Sequence, residues 1–272
     1  MTFVDVTLAR RLEATHAWRS IRYAQARAKL HPQARAVVQE VGGGWVVLSG
    51  PGSPVHSACG LGLHGPLGED DLKGIERLFR SASETPRIDL CPLAEPSFVQ
   101  LLGRRGYVVE EFRSMLAYDL TKHASTLPVP DDVEVRQAGS DLAELWIQTT
   151  AQGFSEQDAP TQQILDVLAP NFHAHAGVPF LAWWEGQPAG GGGMYVHAGA
   201  IELGGDSTRP PFRLRGVETA LLLARLATAR QMGCDLAMAI TMPGSASQRN
   251  AERLGFRLAY TKAFLVGPSK AG

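Results

Sequence analysis

The chain has 272 residues, 44% of them hydrophobic and 19% charged, and its net charge is −1. This length fits one large domain or two ordinary ones, and the composition excludes wholesale disorder and collagen-like repetition. The balanced charge and the short apolar runs predict neither a nucleic-acid partner nor a membrane partner. Three widely spaced cysteines, Cys59, Cys91 and Cys234, indicate buried thiols in a cytoplasmic protein and no disulfide framework.

The first part of the chain alternates helical and strand patterns. An amphipathic helix is expected over 8–29, and two β-rich runs at 36–41 and 45–49 flank Gly42–Gly44, which is a hairpin signal. The other elements expected here are helices at 69–82 and 97–104 and strands at 55–63, 87–91 and 112–120.

A polar segment with two prolines, 121–132, divides the chain. We therefore expect a domain at 1–122, a linker at 123–131 and a second domain at 132–272. The second domain repeats the order of the first, with helices at 140–152, 161–168, 217–232 and 247–254 and strands at 180–185, 193–197, 200–208, 235–242 and 258–266. The best local match between the halves, Arg104–Tyr107 against Arg253–Phe256, favours an internal duplication.

A strand-to-helix turn at 208–221, with the sequence TRPPFRLRGVETAL, predicts an anion site. Two prolines end the strand, and Gly216 lets backbone amides approach an anion closely. The following helix adds its dipole and its unpaired N–H groups, and Arg213 and Arg215 add two permanent charges. The turn therefore suits a pyrophosphate, although a solvated surface turn would have the same spacing. A glycine run at 190–193 precedes no helix and indicates a strand that backbone or ligand approaches closely.

Two segments resemble the GNAT family of acyl-CoA-dependent N-acetyltransferases. The family signature Q/R-x-x-G-x-G/A is similar to Arg213-Leu-Arg-Gly-Val-Glu218, and Gly244–Phe256 resembles the family's next motif, which ends in L-G-F. The resemblance covers 132–266. It implies an α/β (α+β) fold of two GNAT-like domains, each a mixed, mainly antiparallel twisted sheet flanked by helices. The N-terminal copy is expected to be degenerate, without a pyrophosphate loop, and to shape the acceptor pocket.

The resemblance implies acetyl-CoA as co-substrate and no metal. The pantetheine arm would pair with the strand near its end, backbone amides at 214–219 would hold the pyrophosphate, and two residues of the last helix would lie near the arm. The cofactor-binding residues so implied are Asp206, Ser207, Thr208, Arg213, Leu214, Arg215, Gly216, Val217, Glu218, Thr219, Ser247 and Asn250.

The catalytic residues are expected from the same resemblance. Glu202 has the spacing from Arg213 at which the histone-modifying branch places its base, but on an alternating strand it could also point to solvent. Glu218 stands where the family pattern has Gly or Ala, and Ala251 stands where many members carry a general-acid tyrosine. Tyr260 is a possible substitute acid, or a core residue.

Two functions follow from these residues. The first is an N-acetyltransferase that acts on a primary amine of a small molecule or a peptide. The alternative is a non-catalytic sensor of acyl-CoA or of a small ligand. His173, His175 and His197 make a weak metal-ligand set, and the alternative role for His197 is a proton relay at the acceptor cleft. Monomer and homodimer both remain open.

Overall fold

The computed structural model describes residues 4–51, 53–122, 128–155 and 159–268. Its helices are α1 (Val6–Leu30), α2 (Glu69–Ser81), α3 (Pro96–Arg104), α4 (Ala143–Phe154), α5 (Gln162–His173), α6 (Val217–Gln231) and α7 (Ala246–Arg253). Its strands are β1 (Val37–Val41), β2 (Gly44–Leu48), β3 (His56–Cys59), β4 (Arg87–Leu90), β5 (Val108–Asp119), β6 (Val133–Gln137), β7 (Gly177–Trp184), β8 (Gln187–His197), β9 (Ala200–Thr208), β10 (Leu236–Thr241) and β11 (Arg257–Val266). Every helix and strand expected from the sequence is present, with shifted ends. The structure adds β6, a short strand with the sequence VEVRQ, in which two of the five residues are charged.

The chain divides into two compact units. The first comprises Met1–Leu116, Thr241–Gln248 and Leu258–Gly272, and the second comprises Ala117–Ile240 and Arg249–Arg257. This division differs from a cut at the proline-rich segment, because β11 pairs with β4 in antiparallel register, Ala263 opposite Leu90. The last strand of the chain therefore completes the sheet of the first unit.

The first unit has the strand order β1-β2-β3-β4-β11-β5, and β5 belongs to it as far as Leu116. The pairs β1–β2, β2–β3 and β4–β11 are antiparallel, whereas β3 and β4 are parallel and are joined by α2. Adjacent residues of β2 face opposite sides of the sheet. Val46 packs with the core that includes Leu72 and Phe79 of α2, whereas Val47 packs with Ile21 of α1. Helices therefore flank both faces.

The second unit repeats this arrangement with the strand order β10-β9-β8-β7-β6. Here β9 and β10 form the parallel pair, joined by α6, and the other neighbours are antiparallel. Trp146 of α4 and Phe172 of α5 pack with Leu181 of β7 in one core cluster, and α6 packs against β6 to β9. The predicted fold class, a mixed and mainly antiparallel sheet flanked by helices, is confirmed. Within the described ranges, no helix is long and apolar enough to span a membrane.

Candidate functional site

The turn between β9 and α6 has the backbone that an anion site requires. After β9, Pro210–Phe212 form one 3₁₀ turn, and the side chain of Phe212 is buried beneath it. Leu214 has a φ of 63° and a fully exposed side chain, and Gly216 has a φ of 80°. A Cβ on Gly216 would lie 2.6 Å from Cγ of Pro130, so both the left-handed conformation and the close approach favour glycine here.

The first turn of α6 carries no side-chain cap. Gly216 is its N-cap residue and supplies no hydrogen bond from a side chain. The first N–H groups of a helix have no partner within the helix, and the helix dipole adds positive charge there. These amides and the exposed turn before them form a place for a negatively charged group.

The two arginines of the turn are held in different ways. Arg213 donates from Nη2 to the carbonyl oxygen of Gly153 at 3.1 Å and from Nε to that of Thr208 at 3.4 Å. It therefore ties the end of β9 to the last turn of α4. Arg215 lies over the ring of Trp184, with Cζ 5.1 Å from the ring centroid. Both arginines are exposed, so both charges can reach an anion at this turn.

Glu218, the departure from the family pattern, turns toward α7. Its Oε2 accepts a hydrogen bond of 2.6 Å from Nδ2 of Asn250. Burial raises the pKa of this carboxyl; the Asn250 hydrogen bond opposes the rise, and the nearby Asp206 carboxylate adds to it. Asn250, which was expected to lie near the pantetheine arm, thus donates a hydrogen bond to Glu218.

The end of β9 is paired on one edge. Thr208 and Ser207 face Gly190 and Gly191 of β8. The parallel ladder with β10 runs from Ala200 to Leu203, and no described pair continues it to Asp206. The described ladder between β9 and β10 therefore ends before the residues at which the resemblance implies a splayed edge.

The side chains at this end of β9 are held from both faces of the sheet. Ser207 donates from Oγ to the carbonyl oxygen of Thr150 in α4 at 2.7 Å. Asp206 forms an ion pair with Arg225 of α6, which is fully buried and donates to the carbonyl oxygen of Gly193 at 2.9 Å. The predicted close approach of backbone at the glycine run is confirmed, because a Cβ on Gly190 would lie 2.6 Å from the carbonyl oxygen of Ser207. Arg225 was missed from the sequence, although a charged residue on an apolar helix was a signal.

Glu202 lies inside the second unit. Its residue is 1% exposed, and it stands opposite Tyr195 of β8 and beside Met238 of β10. The alternative that Glu202 points to solvent is therefore wrong. The hydroxyl of Tyr195 donates to Oδ1 of Asn171 at 2.8 Å. Glu202 is one residue from Leu203, where the ladder between β9 and β10 ends.

Two predicted site residues belong to segments of the first unit. Ser247 is exposed in α7, in the stretch Thr241–Gln248. Tyr260 is buried in β11, and its hydroxyl donates to Oε1 of Glu13 at 2.8 Å. Burial and the Glu13 carboxylate raise the pKa of Tyr260 far above its ordinary value. This environment accounts for Tyr260 as a core residue, the second of the two alternatives. Among the described residues there is no group of three or more His, Cys, Asp and Glu side chains that could hold a metal ion.

Comparison with known proteins finds a family match in the second half of the chain. Residues 141–256 match the model of the Acetyltransferase (GNAT) family. No curated protein matches the chain.

Solved structures share the GNAT fold with most of the chain. A GCN5-related N-acetyltransferase from Kribbella flavida is 19% identical with a TM-score of 0.62, and the match covers 92% of this chain and 96% of that one. A tandem GNAT protein from the clavulanic acid biosynthesis pathway is 14% identical with a TM-score of 0.58, covering 84% of this chain and 79% of that one. A GCN5-related N-acetyltransferase from Sphaerobacter thermophilus is 16% identical with a TM-score of 0.58, covering 86% of this chain and 77% of that one. At these identities the likeness concerns the fold, and it agrees with a tandem arrangement of two GNAT-like units.

Proposed function

We propose that the second unit transfers an acetyl group from acetyl-CoA to a primary amine of a small molecule or a peptide. The observation that carries the proposal is the start of α6: an uncapped helix N-terminus behind a left-handed glycine, preceded by two exposed arginines. Backbone amides and paired guanidinium groups at one helix start suit a pyrophosphate. The match to the GNAT family model over the same residues supports this assignment.

The turn and the end of β9 would contact different parts of acetyl-CoA. Amides at 214–219 would hold the pyrophosphate, with Arg213 and Arg215 as its counter-charges. The splayed edge of β9 at Asp206–Thr208 would pair with the pantetheine arm. Acetyl-CoA supplies a thioester: the neutral amine attacks its carbonyl carbon, the C–S bond breaks as the amide forms, and the leaving CoA thiolate takes up the proton that the nitrogen loses.

Glu202 is the residue that we assign as the general base, which removes the ammonium proton of the acceptor. An amine attacks only after its ammonium proton has been removed, so a base is needed near the acceptor. A carboxylate buried in the strand that ends in the splayed edge is placed for this role, and it is held between β8 and β10. In this chain Ala251 occupies the place of the family's tyrosine acid and is buried.

The second candidate function is binding of acyl-CoA without turnover. It is favoured by Ala251 and by the carboxylate of Glu218 in the first turn of the helix that would hold the phosphates. Steady-state release of thiol from acetyl-CoA in the presence of a panel of primary amines separates the two functions, because a sensor binds the cofactor and releases none.

Calorimetric titration with acetyl-CoA tests both candidate functions, the transferase and the sensor. We expect micromolar binding to the wild type, and a loss on the order of 100-fold in the double variant Arg213→Ala/Arg215→Ala, because two charge-assisted contacts to phosphate are removed. Arg136→Ala is the matched control, since Arg136 also lies over a tryptophan, Trp183, but is far in sequence from the turn. Its affinity should stay within about twofold of the wild type. Absence of binding to the wild type would refute both the transferase and the sensor.

A further inference from the structure

The second unit holds two carboxylates near one buried arginine, between α6 and the end of β9. Arg225 of α6 is fully buried and forms an ion pair with Asp206. Its Nε donates to the carbonyl oxygen of Leu221, and its Nη1 donates to that of Gly193, both at 2.9 Å. The second carboxylate, Glu218, lies in the first turn of the same helix. The arginine is therefore committed to Asp206 and to backbone oxygens.

Glu218 has a weaker partner than Asp206 has. Its side chain is partly buried, and its Oε2 accepts from the neutral side-chain amide of Asn250 at 2.6 Å. Burial raises the pKa of this carboxyl and the Asp206 carboxylate adds to the rise, whereas the Asn250 hydrogen bond and Arg225 oppose it. Glu218 therefore takes up a proton more readily than an ordinary exposed carboxyl does.

The groups that act on Glu218 come from three elements. Asp206 of β9 and Arg225 of α6 are charged, and Asn250 of α7 is neutral. The dipole of α6 also favours the ionised form at this position. The charged side chains of α7 are exposed, and they are Arg249, Glu252 and Arg253. The balance at Glu218 thus depends on one like charge, one opposite charge and the helix start itself.

An anion bound at this helix start competes with the ionised Glu218. Both are attracted by the N-terminus of α6 and by Arg213 and Arg215, which precede it. A pyrophosphate brings two negative charges to this turn, and a like charge within roughly 4–6 Å disfavours the ionised form of a carboxyl. Asp206 is paired with Arg225 and holds its charge more firmly. Glu218 is therefore the carboxyl at which a proton relieves the repulsion.

We propose that acetyl-CoA binding at the start of α6 is coupled to the uptake of a proton by Glu218. The inference rests on the proposed function and concerns the regulation of the same site. The proton comes from solvent, converts the carboxylate to a neutral carboxyl, and returns to solvent when the cofactor leaves; no bond of the cofactor changes. The carboxyl keeps an oxygen that accepts from Asn250 and gains an O–H donor. The affinity for acetyl-CoA therefore falls as the pH rises.

Calorimetry in several buffers counts this proton. The full-length protein is titrated with acetyl-CoA at a series of pH values, in buffers that differ in ionisation enthalpy. The slope of the observed binding enthalpy against the ionisation enthalpy of the buffer equals the number of protons taken up. At the pH of greatest uptake, we expect the wild type to take up at least about 0.3 proton more than Glu218→Gln. Comparison with this variant removes the protons of the cofactor's own phosphate, which titrates near pH 6 in both proteins.

The dissociation constant gives a second measurement of the same coupling. An uptake of about 0.3 proton corresponds to a dissociation constant that rises about twofold per pH unit. The ratio of the wild-type dissociation constant to that of Glu218→Gln should therefore rise at least about twofold per pH unit around the pH of greatest uptake. At low pH the two constants should converge, because the neutral amide then replaces a neutral carboxyl.

The matched control lies at the same position of α2. Asp70 follows the N-cap Gly68 by two residues, as Glu218 follows Gly216. The side chain of Asp70 is 100% exposed, however, and its Oδ1 lies 3.4 Å from Nζ of Lys73. Asp70→Asn should leave the proton count within about 0.1 of the wild-type value, because an exposed carboxylate in the other unit does not sense the bound phosphates.

Three results would overturn the inference and leave the cofactor site in place. The first is acetyl-CoA binding to the wild type with no more proton uptake than in Glu218→Gln at every pH. The second is an equal loss of uptake in Asp70→Asn, since the proton would then not belong to the start of α6. The third is clear weakening of acetyl-CoA in Glu218→Gln, since the neutral amide should stand in for the protonated carboxyl. Absence of acetyl-CoA binding to the wild type would instead refute the proposed function, and this inference with it.

Discussion

The helices α2 and α6 connect the parallel strands of their units, but their N-termini are built differently. At α2 the N–H of Gly68 donates to Oδ2 of Asp71 at 2.8 Å, and the first turn contains three acidic residues. At α6 the N-cap residue Gly216 has a positive φ, no side chain caps the turn, and arginines precede it. Neither N-cap glycine has a side chain that caps its helix. The three carboxylates of α2 complement the helix dipole, whereas α6 has one, Glu218, and the arginines before it favour an external anion, as proposed above.

The strands before these helices differ as well. β9 carries the buried Glu202, whereas β3, with the sequence HSAC, carries no carboxylate. We expect Glu202→Gln to lower kcat several-fold or more, since a positioned general base typically contributes about 100-fold to 10,000-fold. The affinity for acetyl-CoA, measured by calorimetry, should change little. Turnover that is unchanged at every pH would remove Glu202 from the mechanism.

The two N-cap glycines form a matched pair of substitutions. Gly216→Ala should lower the free energy of unfolding by about 1–3 kcal/mol, because it places a Cβ in the left-handed region and against Pro130. It should also weaken acetyl-CoA binding. Gly68→Ala, where φ is −101°, should change stability by less than about 1 kcal/mol and leave acetyl-CoA binding unchanged. Urea denaturation and calorimetry measure both quantities. An equal loss of free energy of unfolding in the two variants would contradict the contrast between the helices.

Removing the cap of α2 tests the other side of the comparison. Asp71→Ala should lower the free energy of unfolding by about 1 kcal/mol, since it deletes the hydrogen bond to the N–H of Gly68. Acetyl-CoA binding should be unaffected, because the site proposed for it lies at α6. A change in acetyl-CoA affinity in this variant would mean that α2 takes part in cofactor binding.

The smallest expected effect concerns the one carboxylate in the first turn of α6. Glu218→Gln should leave acetyl-CoA affinity unchanged or tighten it up to about fivefold, since it removes a negative charge near the proposed phosphate site. Clear weakening, measured by calorimetry, would show that the ionised Glu218 supports binding.

The pH dependence of stability tests the same residue without any ligand. Burial raises the pKa of Glu218 above the unfolded value of 4.5. Its contribution to stability is therefore greatest below that value and is lost as the pH rises through the folded pKa. We expect urea denaturation from pH 4 to pH 7.5 to show this. The free energy of unfolding of Glu218→Gln, relative to that of the wild type, should increase as the pH rises through the folded pKa of Glu218 and then level off. A constant difference would contradict the pKa shift.

The sequence predicted local elements well and their partners less well. The hairpin at Gly42–Gly44 followed from its glycines and from the valine-rich runs on either side, signals that act over a few positions. The strand β6 did not, because its alternating charges are typical of a solvated segment. Asn250 was correctly placed on a helix, but its hydrogen bond to Glu218 depends on how that helix packs, which the spacing of motifs does not specify.

The sequence by itself determined the turn before α6, since prolines, a glycine and arginines within eight positions specify its backbone and its charge. Only the tertiary structure decided that β11 completes the sheet of the first unit and that Lys262 reaches Glu13, 249 positions away. A buried ion pair joins residues by their place in the core and leaves no periodic pattern along the chain. The same holds for Arg225 and Asp206, whose pairing depends on a bulge and a glycine run in a neighbouring strand.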